Sequence, residues 1–201
     1  MDLFNQLDNN QTSLLPFDGE VFYFPNFLDR EEDKFYFNQL KDTIEWKFDE
    51  VKIFGKHLIT KRKMAWYGEK EIDYTYSGIS RKAFLFNSEL LNLKNKIENK
   101  FPAVYNSCLL NLYHNGEESM GWHSDNEKTI LENSAIASLS LGADRKFLFK
   151  HKITKQLISI HLTSGSLLIM AGTTQKNWLH SLPKSKKVNS ERINLTFRNM
   201  I

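Results

Sequence analysis

The feature that most constrains the fold of this chain is a run of short β-strand patterns in its C-terminal half. Each pattern is a segment of seven or eight residues in which apolar residues recur, bounded by polar or glycine-containing turns. The patterns span residues 107–114, 135–141, 145–152, 156–162, 165–171 and 191–198. Short strands at this close spacing predict a β-sandwich or a barrel.

The N-terminal half supplies helices. Residues 21–24 alternate as a short strand does, and Asp29 then precedes an acid-rich turn, which predicts an N-cap and a helix reaching about residue 46. A second amphipathic helix is predicted over residues 88–101. Its apolar stripe consists of Leu90, Leu91, Leu93 and Ile97, which we interpret as a core-facing side.

Composition places the chain among ordinary globular proteins. Hydrophobic residues make up 41% and charged residues 25%, which excludes a disordered chain, and 9 Gly with 4 Pro exclude a collagen-like one. No apolar run approaches the roughly 18 residues of a membrane span, and the polar start predicts no signal peptide. A single cysteine, Cys108, excludes an internal disulfide and a multi-cysteine zinc site. We therefore expect a soluble intracellular protein, located in the cytoplasm or with the genome.

The length of 201 residues fits one α+β domain, in which helices buttress an all-β core. We assign residues 18–201 to this domain and residues 1–17, rich in Asn and Gln, to an N-terminal arm. A monomer is the default expectation.

A candidate metal site lies in the segment GWHSDNE, residues 121–127. His123 and Asp125 are two residues apart, so on an extended segment their side chains project from the same face. His180, several strands later, is the candidate third ligand. Two histidines and one carboxylate leave positions open on an octahedral ion, as in non-haem Fe(II) oxygenases. This pattern also arises by chance in many soluble proteins.

The last strand pattern, ERINLTFR, carries two arginines on one face. That face presents Arg192, Asn194, Thr196 and Arg198, and the opposite face presents Ile193, Leu195 and Phe197. Guanidinium groups bind carboxylates through paired hydrogen bonds, so a keto diacid would engage both arginines. The alternative is the solvated polar side of an antiparallel strand.

Together these motifs resemble those of AlkB-type Fe(II)- and 2-oxoglutarate-dependent dioxygenases, which repair alkylated nucleic acids. The matching motifs, in the family's order, are NLYHNGEESMGWHSDNE, SLSLGADRKFLFKHK, GSLLIMAG, WLHSLPK and RINLTFR, within a similarity running from about residue 22 to the end of the chain. The resemblance implies a double-stranded β-helix, or jelly roll, that uses Fe(II), 2-oxoglutarate and O₂. It assigns the iron to His123, Asp125 and His180.

The same resemblance assigns residues to the co-substrate. The positions that match 2-oxoglutarate contacts are Asn111, Tyr113, Arg192, Asn194, Thr196 and Arg198. We expect Arg198 to bind the distal carboxylate and Arg192 to lie near the keto-acid end.

A basic tract over residues 51–64 points to nucleic acid. It contains Lys52, Lys56, Lys61, Arg62 and Lys63 and no acid, although the whole chain carries a net charge of only +3. Such a local excess of cations suits phosphate contacts. Phe54, followed by Gly55, would stand at a hairpin tip, where it could wedge into a base stack or pack under its own loop.

By resemblance, residues 48–80 form a nucleotide-recognition lid of the branch acting on double-stranded DNA. Phe54 would fill the gap left by an extruded base, and Tyr76 would stack on that base opposite His123. Further matching positions in the substrate site are Gly55, Arg62, Tyr74, Ser77 and Glu127. The chain departs from the branch at Asn126, where a second acid is common, and at Lys61, where proline is common.

The function implied is oxidative demethylation of 1-methyladenine and 3-methylcytosine in DNA, with release of succinate and formaldehyde. A carboxylate at Glu127 favours such cationic bases. Duplex DNA is the first partner, single-stranded DNA or RNA are alternatives, and no membrane is involved. Two other hypotheses are an RNA demethylase with the same site and a catalytically silent nucleic-acid-binding module.

Overall fold

Strands account for most of the regular structure in the computed structural model, which describes residues 12–53, 56–70, 73–76 and 79–201. Side chains at 49–53, 56–58, 73–76 and 79–82 lie outside that description. The strands are β1 (Glu20–Phe24), β2 (Lys47–Ile53), β3 (Lys56–Gly68), β4 (Asp73–Tyr76), β5 (Ile79–Lys82), β6 (Phe84–Leu85), β7 (Ser107–Tyr113), β8 (Met120–His123), β9 (Ile136–Gly142), β10 (Arg145–His151), β11 (Leu157–Leu162), β12 (Ser166–Ala171), β13 (Trp178–Leu182) and β14 (Arg192–Arg198). The helices are α1 (Arg30–Thr43), α2 (Ser88–Lys100) and α3 (Thr174–Asn177).

The strands form a major and a minor antiparallel sheet. The major sheet has the order β1-β12-β9-β14-β7-β3-β2, with β6 pairing in parallel beside β3. The minor sheet has the order β11-β10-β13-β8, and β4 and β5 form a separate hairpin. This two-sheet arrangement is the predicted jelly roll.

The two faces of the major sheet have different neighbours because side chains alternate along each strand. Ile193, Leu195 and Phe197 of β14 join a buried cluster with the helices α1 and α2. On the other face, Tyr113 and Met170 belong to a second cluster that includes side chains of the minor sheet. The polar residues of β14 are therefore enclosed between the sheets.

Both long helices begin where the sequence predicts. The Asp29 side chain accepts hydrogen bonds from the backbone N–H groups of Glu31 and Glu32, and the Glu32 carboxylate accepts the N–H of Asp29, which completes a capping box. The helix ends at Thr43 rather than near residue 46. Asn87 caps α2 by accepting the N–H of Leu90 at 2.9 Å.

The predicted apolar stripe of α2 is wrong at one position. Leu90, Leu93 and Ile97 are buried, but Leu91 is 39% exposed. Leu91 lies about 100° around the helix from Leu90, whereas Lys94 follows Leu90 by one turn and is buried instead. The Lys94 ammonium pairs with the carboxylates of Glu98 and Glu69 at 3.0 and 3.2 Å.

Strands β8 and β13 are among those that the sequence patterns did not predict. Both strands are short and contain tryptophan and histidine, and β8 also contains a glycine, so neither shows a regular apolar–polar alternation. They pair with each other in the minor sheet and carry two of the three candidate metal ligands. The two strands that lack a simple alternating pattern are thus the strands that carry candidate metal ligands.

The described part of the N-terminal arm, residues 12–17, is attached to the core rather than loose. Leu15 is buried, and the backbone N–H of Leu14 donates to the carbonyl of Val21 at 2.8 Å. The indole N–H of Trp178 donates to the carbonyl of Phe17 at 3.1 Å. The division into an arm and one dioxygenase domain stays a prediction. In the part of the chain that the structure describes, no helix is long and apolar enough to cross a membrane.

Candidate active site

The predicted metal ligands come together at one end of a pocket between the two sheets. His123 ends β8, and its register partner in β13 is His180. Asp125 follows two residues later, and the three residues offer ligand atoms that all lie within 4.8 Å of one another. The two imidazole ring centroids are 4.2 Å apart. The sequence prediction of this group is confirmed.

The protonation states suit a divalent cation. Burial, together with the neighbouring His123, lowers the pKa of His180 to about 3, so its ring is neutral and can donate a lone pair. Burial alone would raise the pKa of Asp125, but the Arg198 guanidinium and the two imidazoles hold it at about 2. His123 Nδ1 lies 2.9 Å from the carbonyl oxygen of Gly121, which leaves Nε2 toward Asp125. The donor set therefore fits Fe(II).

A second group of residues, absent from the sequence analysis, supports Asp125. The backbone N–H of Asp125 donates to Oε1 of Gln175 at 2.9 Å. The Lys152 ammonium donates to the Ser124 hydroxyl at 3.1 Å and to the carbonyl of Gln175 at 2.9 Å. Only the folded chain brings α3 and the end of β10 beside the HxD segment, so no local sequence signal marks these residues.

The candidate co-substrate residues line the same pocket. They are Asn111, Tyr113, Arg192, Asn194, Thr196 and Arg198. Asn111 and Asn194 are direct register partners, as are Tyr113 and Arg192. Asn194 donates to the hydroxyl of Ser138 at 2.9 Å and to the carbonyl of Leu139 at 3.1 Å. Arg192 is 2% exposed and Thr196 7%, so this face of β14 is not a solvated one.

The two arginines occupy opposite ends of the pocket, and Arg198, which we expected at the distal carboxylate, lies at the metal end. Arg198 Nη2 lies 2.9 Å from Asp125 Oδ2, which places Arg198 at the metal end. Arg192 is six residues away along an extended strand, a separation of about 20 Å between Cα atoms. The position of each arginine along β14 decides which of the two lies beside the metal group.

Arg192 has the surroundings of an anion-binding group. Its guanidinium donates to the Ser140 hydroxyl at 2.9 Å, and in the described part of the chain it forms no ion pair. Burial lowers its pKa to about 10. A buried guanidinium without a carboxylate partner is costly, and an anionic ligand would offset that cost.

Part of the pocket is an apolar compartment. Its walls are formed by Met64, Trp66, Leu109, Ile130 and Met200. Glu127 also lines the pocket, and its Oε2 is buried with no hydrogen-bond partner among the described residues. The indole N–H of Trp66 donates to the Ser107 hydroxyl at 2.6 Å, which orients this wall. The resemblance in sequence indicates Glu127 but none of the apolar wall residues.

The remaining substrate assignments differ in how far the structure describes them. Phe54, Gly55 and Ser77 lie outside the described residues. Tyr74 and Tyr76 belong to β4, but their side chains are likewise outside the description. Arg62 is described: it is 8% exposed and lines the pocket. The lid assignments therefore stay predictions.

Comparisons with known proteins agree with this site. The family model "2OG-Fe(II) oxygenase superfamily" matches residues 20–198. The bovine (Bos taurus) protein DNA oxidative demethylase ALKBH2 is 34% identical over 82% of this chain and 63% of its own length, so the chain spans less than two thirds of that relative. The mouse (Mus musculus) protein of the same name is 34% identical over 85% of this chain and 76% of its own length.

A second group of relatives is equally similar. Human (Homo sapiens) alpha-ketoglutarate-dependent dioxygenase alkB homolog 3 is 37% identical over 90% of this chain and 66% of its own length. The solved structure of OsALKBH1 covers 89% of this chain and 97% of its own, with a TM-score of 0.61 at 16% identity, which supports the fold alone. The chain belongs to the 2OG-Fe(II) oxygenase superfamily as an AlkB-type dioxygenase, with Fe(II) as its metal and 2-oxoglutarate and O₂ as its co-substrates.

Proposed function

We propose that this chain removes methyl groups from N-alkylated bases of nucleic acid, with 1-methyladenine and 3-methylcytosine in DNA as its substrates. In the overall reaction, the base, O₂ and 2-oxoglutarate yield the hydroxymethyl base, succinate and CO₂. The hydroxymethyl group then leaves as formaldehyde and restores the base. Acting on genomic DNA, the protein would work inside the cell.

The observation that carries the chemistry is the division of one enclosed pocket into a cation-binding end and an anion-binding end. His123, Asp125 and His180 would hold Fe(II), which supplies the O₂-activating chemistry when bound. Arg192, with Tyr113 and Asn111 beside it, would hold the distal carboxylate of 2-oxoglutarate. Thr196 and Asn194 would line the path between these ends, and Arg198 would keep Asp125 ionised.

The proposed preference for a methylated, cationic base rests on Glu127. Its buried Oε2 lacks a hydrogen-bond partner among the described residues and lies in the wall of the apolar compartment. A base placed there would offer its positive charge and an exocyclic amino group to this oxygen, and the apolar walls would exclude water. Tyr76 would stack on that base opposite His123, and Tyr74 and Ser77 would complete the lid.

Formaldehyde and succinate release tests the proposal. The reaction would contain Fe(II), ascorbate, 2-oxoglutarate and 1-methyladenine in a duplex, in single-stranded DNA or in RNA. We expect turnover on DNA and none on the unmethylated strands. No 2-oxoglutarate-dependent product from any methylated substrate would refute the demethylase and favour a catalytically silent binding module.

The duplex preference depends on Phe54, because an intercalating side chain matters only where a base stack must be opened. Phe54→Ala should lower turnover on duplex DNA by about 10-fold or more, with little change on single strands. Equal activity of wild type and variant on both substrates would remove the intercalating role. Turnover on RNA alone would instead support the RNA demethylase, whose chemistry is the same.

A further inference from the structure

Arg62 lies in a row of side chains at the end of the pocket that is opposite the metal group. The register pairs Lys63 with Leu112 and Met64 with Asn111, so Arg62 stands opposite Tyr113. Tyr113 in turn pairs with Arg192 on the next strand. Arg62, Tyr113 and Arg192 therefore cross β3, β7 and β14 in one row on the pocket face of the major sheet.

The contacts of Arg62 keep its guanidinium at that place. Its Cζ lies 5.9 Å from the centroid of the Tyr113 ring, and the Cζ of Arg192 lies 5.6 Å from the same centroid. Its Nη1 lies 3.5 Å from the sulfur of Met120, which belongs to the edge strand of the minor sheet. Arg62 is thus wedged between the two sheets, a poor position for binding a phosphate on the protein surface.

A third guanidinium near Tyr113 has a different task. Arg145, at 5.8 Å from the ring centroid, donates to the carbonyls of Asn115, Gly116, Glu118 and Pro183. These bonds tie two loops together, and Arg145 does not line the pocket. Of the three arginines, only Arg62 and Arg192 face the space where an anion would bind.

We propose that Arg62 is a co-substrate residue: together with Arg192 it binds the distal carboxylate of 2-oxoglutarate. Both guanidiniums line the pocket and lie within 6 Å of the Tyr113 ring centroid. A carboxylate bound beside that ring would receive charge-assisted N–H donors from each of them. Arg62 belongs to β3, which lies within the predicted nucleotide-recognition lid of residues 48–80. In this proposal, one strand of the predicted lid also contacts the keto acid.

The inference rests on 2-oxoglutarate as co-substrate but not on methylated bases, so its main test needs no methylated nucleic acid. Affinity for 2-oxoglutarate would be measured by calorimetry under anaerobic conditions on Fe(II)-loaded protein. We expect Arg62→Gln to weaken binding by about 10-fold or more, the loss for a hydrogen bond to a charged group. Binding of pyruvate, a keto acid without the distal carboxylate, should be the same in wild type and variant.

Lys63→Gln is the matched control. It removes the same charge from the next residue of β3, whose side chain points to the opposite face, where its ammonium lies 5.5 Å from the Phe48 ring centroid. This variant should bind 2-oxoglutarate as wild type does. Arg62→Lys, which keeps the charge but not the planar fork, should fall between wild type and Arg62→Gln and serves if the glutamine variant does not fold.

Unchanged 2-oxoglutarate affinity in both Arg62 variants would overturn the inference. So would an equal loss of 2-oxoglutarate and pyruvate binding, because that indicates general damage to the pocket. If Arg62→Gln instead lowered only the affinity for unmethylated DNA, Arg62 would be a nucleic-acid contact. None of these outcomes depends on demethylase activity, so failure here is distinguishable from failure of the proposed function.

Discussion

The two ends of the pocket differ in how their charges are balanced. At the metal end, Asp125 is paired with Arg198 at 2.9 Å and stands beside two imidazoles. At the far end, Arg192 is buried next to Arg62 and Tyr113, with no carboxylate paired to it among the described residues. One end is built for a cation and the other for an anion. The pocket is therefore complementary to a metal and a diacid bound together.

The largest effect should come from removing the carboxylate at the metal end. Asp125→Ala removes a ligand and leaves Arg198 unpaired, so we expect turnover to fall by about 1000-fold or more and Fe(II) affinity to fall with it. Calorimetric metal titration and succinate release would measure both effects. Glu132→Ala, an exposed acid outside the pocket, is the control. Wild-type turnover in Asp125→Ala would refute the metal assignment.

Arg192→Met tests whether the two ends act separately. Losing a bidentate guanidinium should weaken 2-oxoglutarate binding by about 100-fold, while metal affinity stays within a few-fold of wild type. The two titrations are made on the same preparation. An equal loss of metal affinity would show that the metal end and the anion-binding end of the pocket do not act independently.

Gln175→Ala sharpens the description of the metal end, because Gln175 accepts the backbone N–H of Asp125. Loss of such a supporting contact typically costs about 10-fold or more in metal affinity. We expect that loss without a change in 2-oxoglutarate affinity at saturating metal. Gln156→Ala, at an exposed position in the turn between β10 and β11, should change neither value. Unaltered metal affinity in Gln175→Ala would leave Gln175 without a positioning role.

Glu127→Gln tests the apolar compartment of the pocket. The amide keeps the shape but loses the charge that favours a cationic base, so the KM for methylated DNA should rise by about 10-fold. The KM for 2-oxoglutarate should stay unchanged, because the distal end is untouched. Initial rates at varied concentrations of each substrate would separate the two. An unchanged KM for methylated DNA would contradict our explanation of base selectivity.

The smallest effect is expected on the helix side of the major sheet, away from the pocket. Asp29→Ala removes the N-cap of α1 and should lower the free energy of unfolding by about 1 kcal/mol. Denaturant unfolding would measure this, and kcat at 25 °C should not change. Asp42→Ala, near the exposed C-terminal end of the same helix, is the control. Altered 2-oxoglutarate affinity in Asp29→Ala would mean that the helix layer influences the pocket.

The sequence by itself determined the strand-rich half of the fold and the identity of the metal group. Alternation in ERINLTFR separated the core-facing side from the polar side, because a strand has a period of two residues whatever surrounds it. The sequence also identified Asp29 as the N-cap of α1, because a cap depends only on neighbouring residues in the chain. The residues needed for these conclusions lie close together in sequence or match a family motif.

Tertiary structure alone decided which side chains meet. Sheet register placed Arg198 beside Asp125 and Arg192 far from it, whereas the resemblance had led us to expect Arg198 at the distal carboxylate. It also buried Arg62 opposite Tyr113, where a basic tract had suggested a surface contact. The physical reason is that hydrogen-bonded pairing between distant strands sets which residues share a row, and a one-residue change in register would turn the same side chains to the other face.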